Sequence, residues 1–132
     1  MSNEITILGF YGLVTIATIV IQVTAAGMQV GPLALFYPRD DQKLTGIAAR
    51  LDRAQLNAVI ALALFAPAIL ILALKGLSTP NTLLCAQVFL VARILYVPAY
   101  AFGIPGARTL IWGIGFAATA YLYAAGLQNV AT

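Results

Sequence analysis

The chain has 132 residues, of which 62% are hydrophobic and only 8% charged, with a net charge of +3, where a typical soluble domain is about 25% charged. Its mean hydropathy of +0.97 is that of a chain whose solvent is mostly lipid, and so apolar a chain is not disordered. Seven scattered basic residues without interleaved aromatics argue against nucleic acid, and the lack of histidine beside a single cysteine, Cys85, leaves no imidazole chemistry, no internal disulfide and no expected metal site.

Apolar runs of about 20 residues, the length that crosses a hydrocarbon core, occur four times. The first runs from about Ile5 to Val30, interrupted by Thr6, Thr15, Thr18, Gln22, Thr24 and Gln29. It is too long for a cleavable signal, and Glu4 stands where a basic start belongs. Gly31-Pro32 breaks it, and Tyr37 to Lys43 forms the one frankly polar loop. The second span runs from about Ile47 to Leu74, charged in its first two turns, with Asp52 expected to answer a neighbouring arginine. Lys75-Gly76 ends it with a cation and a glycine where a helix C-terminus favours them.

Ser78 or Thr79 is placed to cap the third span, from about Asn81 to Phe102, with Pro80 in its first turn. Gly103-Ile104-Pro105 is a tight turn into the fourth span, Gly106 to about Ala125. Pro67 and Pro98 fall inside spans and are expected to kink them, which membrane helices tolerate when neighbours satisfy the freed carbonyls. Strands are excluded because the runs are too long and lack a period of two. The expectation is an all-α integral membrane protein: one four-transmembrane-helix bundle over residues 1–132, in contact with lipid.

Four spans put both termini on one side. Arg39, Lys43, Arg50, Arg53 and Arg108 lie at the connections of one side, and Lys75 alone at the other. The positive-inside rule therefore places the basic connections in the cytoplasm and both termini outside it.

Two clusters put charge where it is costly. Arg50, Arg53 and Asn57 follow a spacing of three and four, so they share one face of the second helix. Arg93, Tyr96 and Tyr100 do the same on the third, with Arg93 about two turns from the helix end and hence within or near the hydrocarbon. Arg108 opens the fourth helix at the same side. A shared pocket is the economical explanation, and two or three arginines with an amide and tyrosine hydroxyls suit a small polyanion.

The plainer readings differ by residue. Arg39, Lys43 and Arg50 are accounted for as positive-inside charges, and Asn57 as hydrogen-bonding glue between helices. Tyr37, Trp112, Tyr121 and Tyr123 read as interface or packing aromatics, Cys85 as an inert core thiol, and Gly27 with Gly31 as a close-packing pair. Arg93 is the residue such readings serve worst.

These residues resemble a known family. Arg53-Ala54-Gln55-Leu56-Asn57 is similar to the Arg-Ala-x-x-Asn signature of the membrane-associated proteins in eicosanoid and glutathione metabolism, the MAPEG family. Ala92-Arg93-Ile94-Leu95-Tyr96, followed by Tyr100 and Arg108, resembles its second signature. The resemblance covers the whole chain. It implies a homotrimer with sites between neighbouring subunits near the cytoplasmic face, where glutathione is bound as co-substrate and lipophilic molecules are conjugated, reduced or isomerised. Carried over, Arg53, Asn57, Arg93, Tyr96 and Tyr100 would hold the tripeptide, Arg108 would stabilise its thiolate, and Thr109 would donate to the same sulfur.

Two positions depart from the family pattern. Catalytic members carry a glutamate one turn after the signature asparagine, where this chain has Ile60, and a basic residue near the end of the first helix, which Val30 to Tyr37 lack. Two functions therefore stand side by side: a glutathione transferase or peroxidase, and a non-catalytic lipid-binding scaffold or accessory subunit for a membrane-protein partner. A transporter is disfavoured, since no span has a continuous polar face.

Overall fold

The computed structural model describes residues 3–31, 44–104 and 106–128. They form four helices: α1 (Asn3–Val30), α2 (Gly46–Leu74), α3 (Pro80–Ala101) and α4 (Ala107–Gln128). All four are long and apolar enough to cross a membrane, and among the described residues there is no strand. The polar loop from Tyr37 to Lys43 lies outside the described residues, as do Pro32 and Pro105.

Punctuation in the sequence sets the helix ends. Gly31 has φ +92° and closes α1, while Gly76, at φ +66°, follows Lys75 at the end of α2. Of the two candidate caps for α3, Thr79 serves: it accepts from the Thr82 amide at 3.1 Å, and its own amide donates to Thr82 Oγ1 at 2.9 Å, with Pro80 at the first helical position. Gly103, at φ +65°, turns the chain after α3. Gln29 clasps the start of α2 with both ends of its amide, donating to Thr45 O at 3.0 Å and accepting from Thr45 N at 2.7 Å.

One boundary differs from expectation. The fourth helix continues past Ala125 to Gln128, because Gly126 does not terminate it. A Cβ there would stand 2.9 Å from Ile71 Cγ2, so this glycine lets α4 and α2 approach closely.

The helices pack as a four-cornered bundle in which α1 touches α2 and α3 but, among the described residues, not α4. At its centre the Phe65 and Phe89 rings stack 3.9 Å apart, and Tyr11 meets Phe89 edge-on at 4.9 Å. The Tyr11 hydroxyl donates to Ala58 O at 2.8 Å, so its polar tip is satisfied inside the core. Thr15, Thr18 and Thr24 turn their hydroxyls back onto carbonyls of their own helix, which accounts for much of α1's polar sequence without any partner helix. Large apolar side chains such as Leu13, Ile16, Leu64 and Leu110 remain exposed on the outer faces, where lipid is the solvent. This is an integral, multi-pass membrane protein.

The end of the bundle carrying the N-terminus is tied by Glu4. Fully buried, it accepts from Thr82 Oγ1 at 2.6 Å and from the Ser78 hydroxyl at 3.0 Å. The acid thus joins the starts of α1 and α3, where both helix dipoles favour negative charge. Nearby, Lys75 Nζ donates to Gly126 O at 2.6 Å, a cation on the carbonyl end of α4.

Asp52 is a correction. Its Oδ1 accepts from Gln55 Nε2 at 3.1 Å and from Gln22 Nε2 at 3.3 Å, and no arginine among the described residues pairs with it. The reason is direction: Arg50 and Arg53 turn toward α3, whereas Asp52, one residue away, faces α1.

Candidate functional site

The start of α2, the end of α3 and the start of α4 meet at the other end of the bundle and bring the predicted polar residues together. Arg50 Nε donates to Ala101 O at 2.7 Å, which satisfies a carbonyl left open at the end of α3. Arg53 Nε donates to the Tyr100 hydroxyl at 3.1 Å. The Arg108 guanidinium lies over the Tyr100 ring, 4.9 Å from its centre. Tyr96 and Tyr100, one turn apart, have ring centres 5.5 Å apart, and the Arg93 guanidinium sits 4.2 Å from the Tyr96 ring. Aromatic faces thus lie against three of these four arginines, Arg53 at 5.9 Å from the Tyr100 ring being the most distant, and attract them through their quadrupoles.

Between these side chains lie two hollows. The outer, of about 300 Å³, is lined by Asn57, Tyr96, Tyr100, Arg108, Thr109 and Trp112. The inner, of about 70 Å³, is lined by Asn57, Ile60, Ala61, Leu64, Phe89, Arg93, Trp112, Gly115, Phe116 and Thr119. Asn57 and Trp112 border both, so the two are steps of one cleft. The predicted residues divide accordingly: Arg108, Thr109, Tyr96 and Tyr100 line the mouth, Arg93 the depth, and Asn57 the passage between. Arg53 stands at the edge, tied to Tyr100.

The depth of this cleft is chemically unfinished. Arg93 is only 2% exposed, yet its Nε and Nη2 have no acceptor, and Asn57 Oδ1 is likewise buried without a donor. The reading of Asn57 as glue between helices therefore finds no partner for its carbonyl oxygen. A buried donor or acceptor left unmade costs about 1–3 kcal/mol, and a guanidinium within a membrane is costlier still unless something answers it. The unpaired donors and the unpaired acceptor thus belong to residues that line one cavity.

Reading the sequence for charge missed the rest of the lining. Trp112, taken as a packing aromatic, does stack on Phe116 at 5.2 Å, but it also borders both hollows. Gly115 leaves the space beneath Arg93 open; a Cβ there would stand 3.8 Å from Arg93 Cδ. The signal was available in spacing, since Arg108, Trp112, Gly115 and Thr119 follow one helical stripe.

The model of the MAPEG family matches residues 5–128. This chain belongs to the MAPEG family. No curated protein and no solved structure matches it. The position one turn after the signature asparagine is the one that departs from the family pattern. Ile60 is 60% exposed and borders the inner hollow beside Asn57 and Arg93, so an apolar side chain occupies the wall where the resemblance expects a carboxylate. The stretch without a basic residue, from Val30 to Tyr37, lies mostly outside the described residues.

Proposed function

We propose that this MAPEG protein binds glutathione, or a similarly small anion bearing an amine, in the α2–α3–α4 cleft and conjugates it through its thiol to lipophilic substrates, or reduces them with it. In this reading it works as a homotrimer whose sites lie at subunit interfaces and open to the cytoplasm. The observation that carries it is Arg93, buried with two guanidinium nitrogens unpaired in a cavity shared with the unpaired Asn57 Oδ1. A guest carboxylate satisfies the first and a guest N–H the second. Arg53, Tyr96 and Tyr100 supply the remaining donors.

The thiol belongs at the mouth. Arg108 lies in the first turn of α4, so its charge adds to the positive end of the helix dipole, and both favour a thiolate over a thiol. The Thr109 hydroxyl, beside it in the same hollow, donates to the sulfur. A lipophilic electrophile reaches that sulfur from the membrane past Leu64 and Phe116, which line the apolar side of the cleft. The thiolate lone pair then forms the new carbon–sulfur bond as the leaving group on that carbon departs with the electron pair of its own bond and takes a proton from water.

Ile60 favours a second reading, in which the cleft holds an anionic lipid headgroup and the protein serves as a non-catalytic scaffold or accessory subunit. Losing one buried charged contact costs about 2–5 kcal/mol of affinity, enough to separate a working glutathione site from an idle one. Ultraviolet difference spectroscopy of the detergent-purified protein with glutathione decides between them. The enzyme reading expects a thiolate band in the wild type that disappears in Arg108→Ala. A wild type without that band at millimolar glutathione leaves the scaffold reading.

A further inference from the structure

A second polar cluster lies outside the cleft, where α1 meets α2. Gln22, only 1% exposed, donates from Nε2 to Asp52 Oδ1, and its own Oε1 is buried without a donor. Gln55 Nε2 donates to the same Oδ1. Among the described residues Asp52 Oδ2 has no hydrogen bond, and it is not among the buried unpaired atoms, so part of it is accessible. Among the described residues the cluster is therefore short of donors, close to a membrane that offers few of them. It calls for a cationic nitrogen.

Among the described residues, an exposed cation at this depth stands on another side of the chain. Arg53 is exposed and, among those residues, has one hydrogen bond, Nε to Tyr100. Asp52 and Arg53 are consecutive, so they differ in depth by about 1.5 Å and in direction by about 100° around α2. Asp52 looks toward α1 and Arg53 toward α3, and α1 and α4 occupy opposite corners of the bundle. A membrane holds copies side by side in one orientation, so any symmetry axis among them runs along the membrane normal. Groups at equal depth on different faces then come opposite each other. Two unlike, complementary faces make a head-to-tail contact, which closes into a ring.

We propose that Gln22, Asp52 and Gln55 form the acceptor half of a head-to-tail contact between copies of this chain, taking the Arg53 guanidinium of the neighbouring copy. Each cleft is then rimmed by a carboxylate supplied by its neighbour, in a chain whose own wall carries Ile60. The two glutamine amides hold that carboxylate in place, and the guanidinium bridges it to the Tyr100 hydroxyl. The inference rests on the assembly part of the function proposed above, and not on the identity of the guest.

Crosslinking between two differently tagged variants tests it. In a Cys85→Ser background, Asp52→Cys and Arg53→Cys chains are co-expressed and treated in native membranes with a short bifunctional thiol reagent, while native mass spectrometry reports the assembly. A mixed ring of three keeps the wild-type pair at one of its two other contacts, and native mass spectrometry shows whether that ring holds together. The expected product joins one tag to the other, well above either same-tag product. Assemblies that give only same-tag products, or none, overturn the contact while leaving the assembly intact; a lipid ammonium on Asp52 would give that result. A monomeric wild type overturns the contact and the assembly together, and the glutathione difference spectrum still reads the guest separately. The charge swap is the second arm. Asp52→Arg and Arg53→Asp each promote dissociation on dilution, and the two combined restore the wild-type assembly. Single variants that dissociate no faster than wild type also overturn the proposal.

Discussion

Arg93 shapes the empty protein as much as the loaded one. Its unpaired nitrogens are a cost that an apolar side chain of similar length would not incur, since removing buried charge in favour of packing is often neutral or stabilising. Arg93→Met should therefore unfold in detergent at a temperature no lower than wild type, while losing about 2–5 kcal/mol of affinity for a carboxylate guest, roughly thirtyfold or more. Thermal unfolding without guest and calorimetric titration with glutathione read the two effects separately. Ile60→Glu should act in the opposite sense: an acid at the cavity wall gives a guest ammonium a partner, and titration should show tighter binding by about tenfold or more. Charge was the legible part of this site. An arginine two turns inside a span is costly unless something answers it, so Arg93 is legible in the sequence alone. Trp112 and Gly115 did not, because an aromatic and a glycine in a lipid-facing helix are ordinary until the neighbouring helices show what they border.

At the scale of elements, the helices owe their ends to a few residues whose chemistry is local. Thr79 and Thr82 exchange hydrogen bonds across the first turn of α3, so Thr79→Ala should lower stability by about 1 kcal/mol, measured by unfolding in mild detergent. Such signals are readable because capping, glycine turns and apolar length involve residues close together in the chain. Gly126 shows the opposite case. It lies inside α4, and its want of a side chain is explained by Ile71, 55 positions earlier, which a Cβ would crowd. Asp52 was misread for a related reason. Its neighbours in sequence are arginines, but a helix turns consecutive residues onto different faces, and the face it shares belongs to Gln22 and Gln55.

For the whole molecule, orientation follows from where the cations gather. Arg39, Lys43, Arg50, Arg53 and Arg108 share one side and Lys75 the other, so both termini should be outside the cytoplasm. A C-terminal reporter active only outside the cytoplasm should work on the full chain and fail after deletion of α4; the reverse pattern would invert the protein and turn the cleft away from cytosolic thiols. The tie between Glu4 and the start of α3 adds a matter of timing. Glu4 is made well before its donors, since Ser78 and Thr82 follow 74 and 78 positions later. During synthesis the acid has to wait at the water-facing margin until the second helical hairpin arrives. The contact is thus a late latch rather than a nucleus. Glu4→Gln should leave insertion of the first two spans unchanged and speed unfolding of the finished bundle, as interactions formed after the rate-limiting step do.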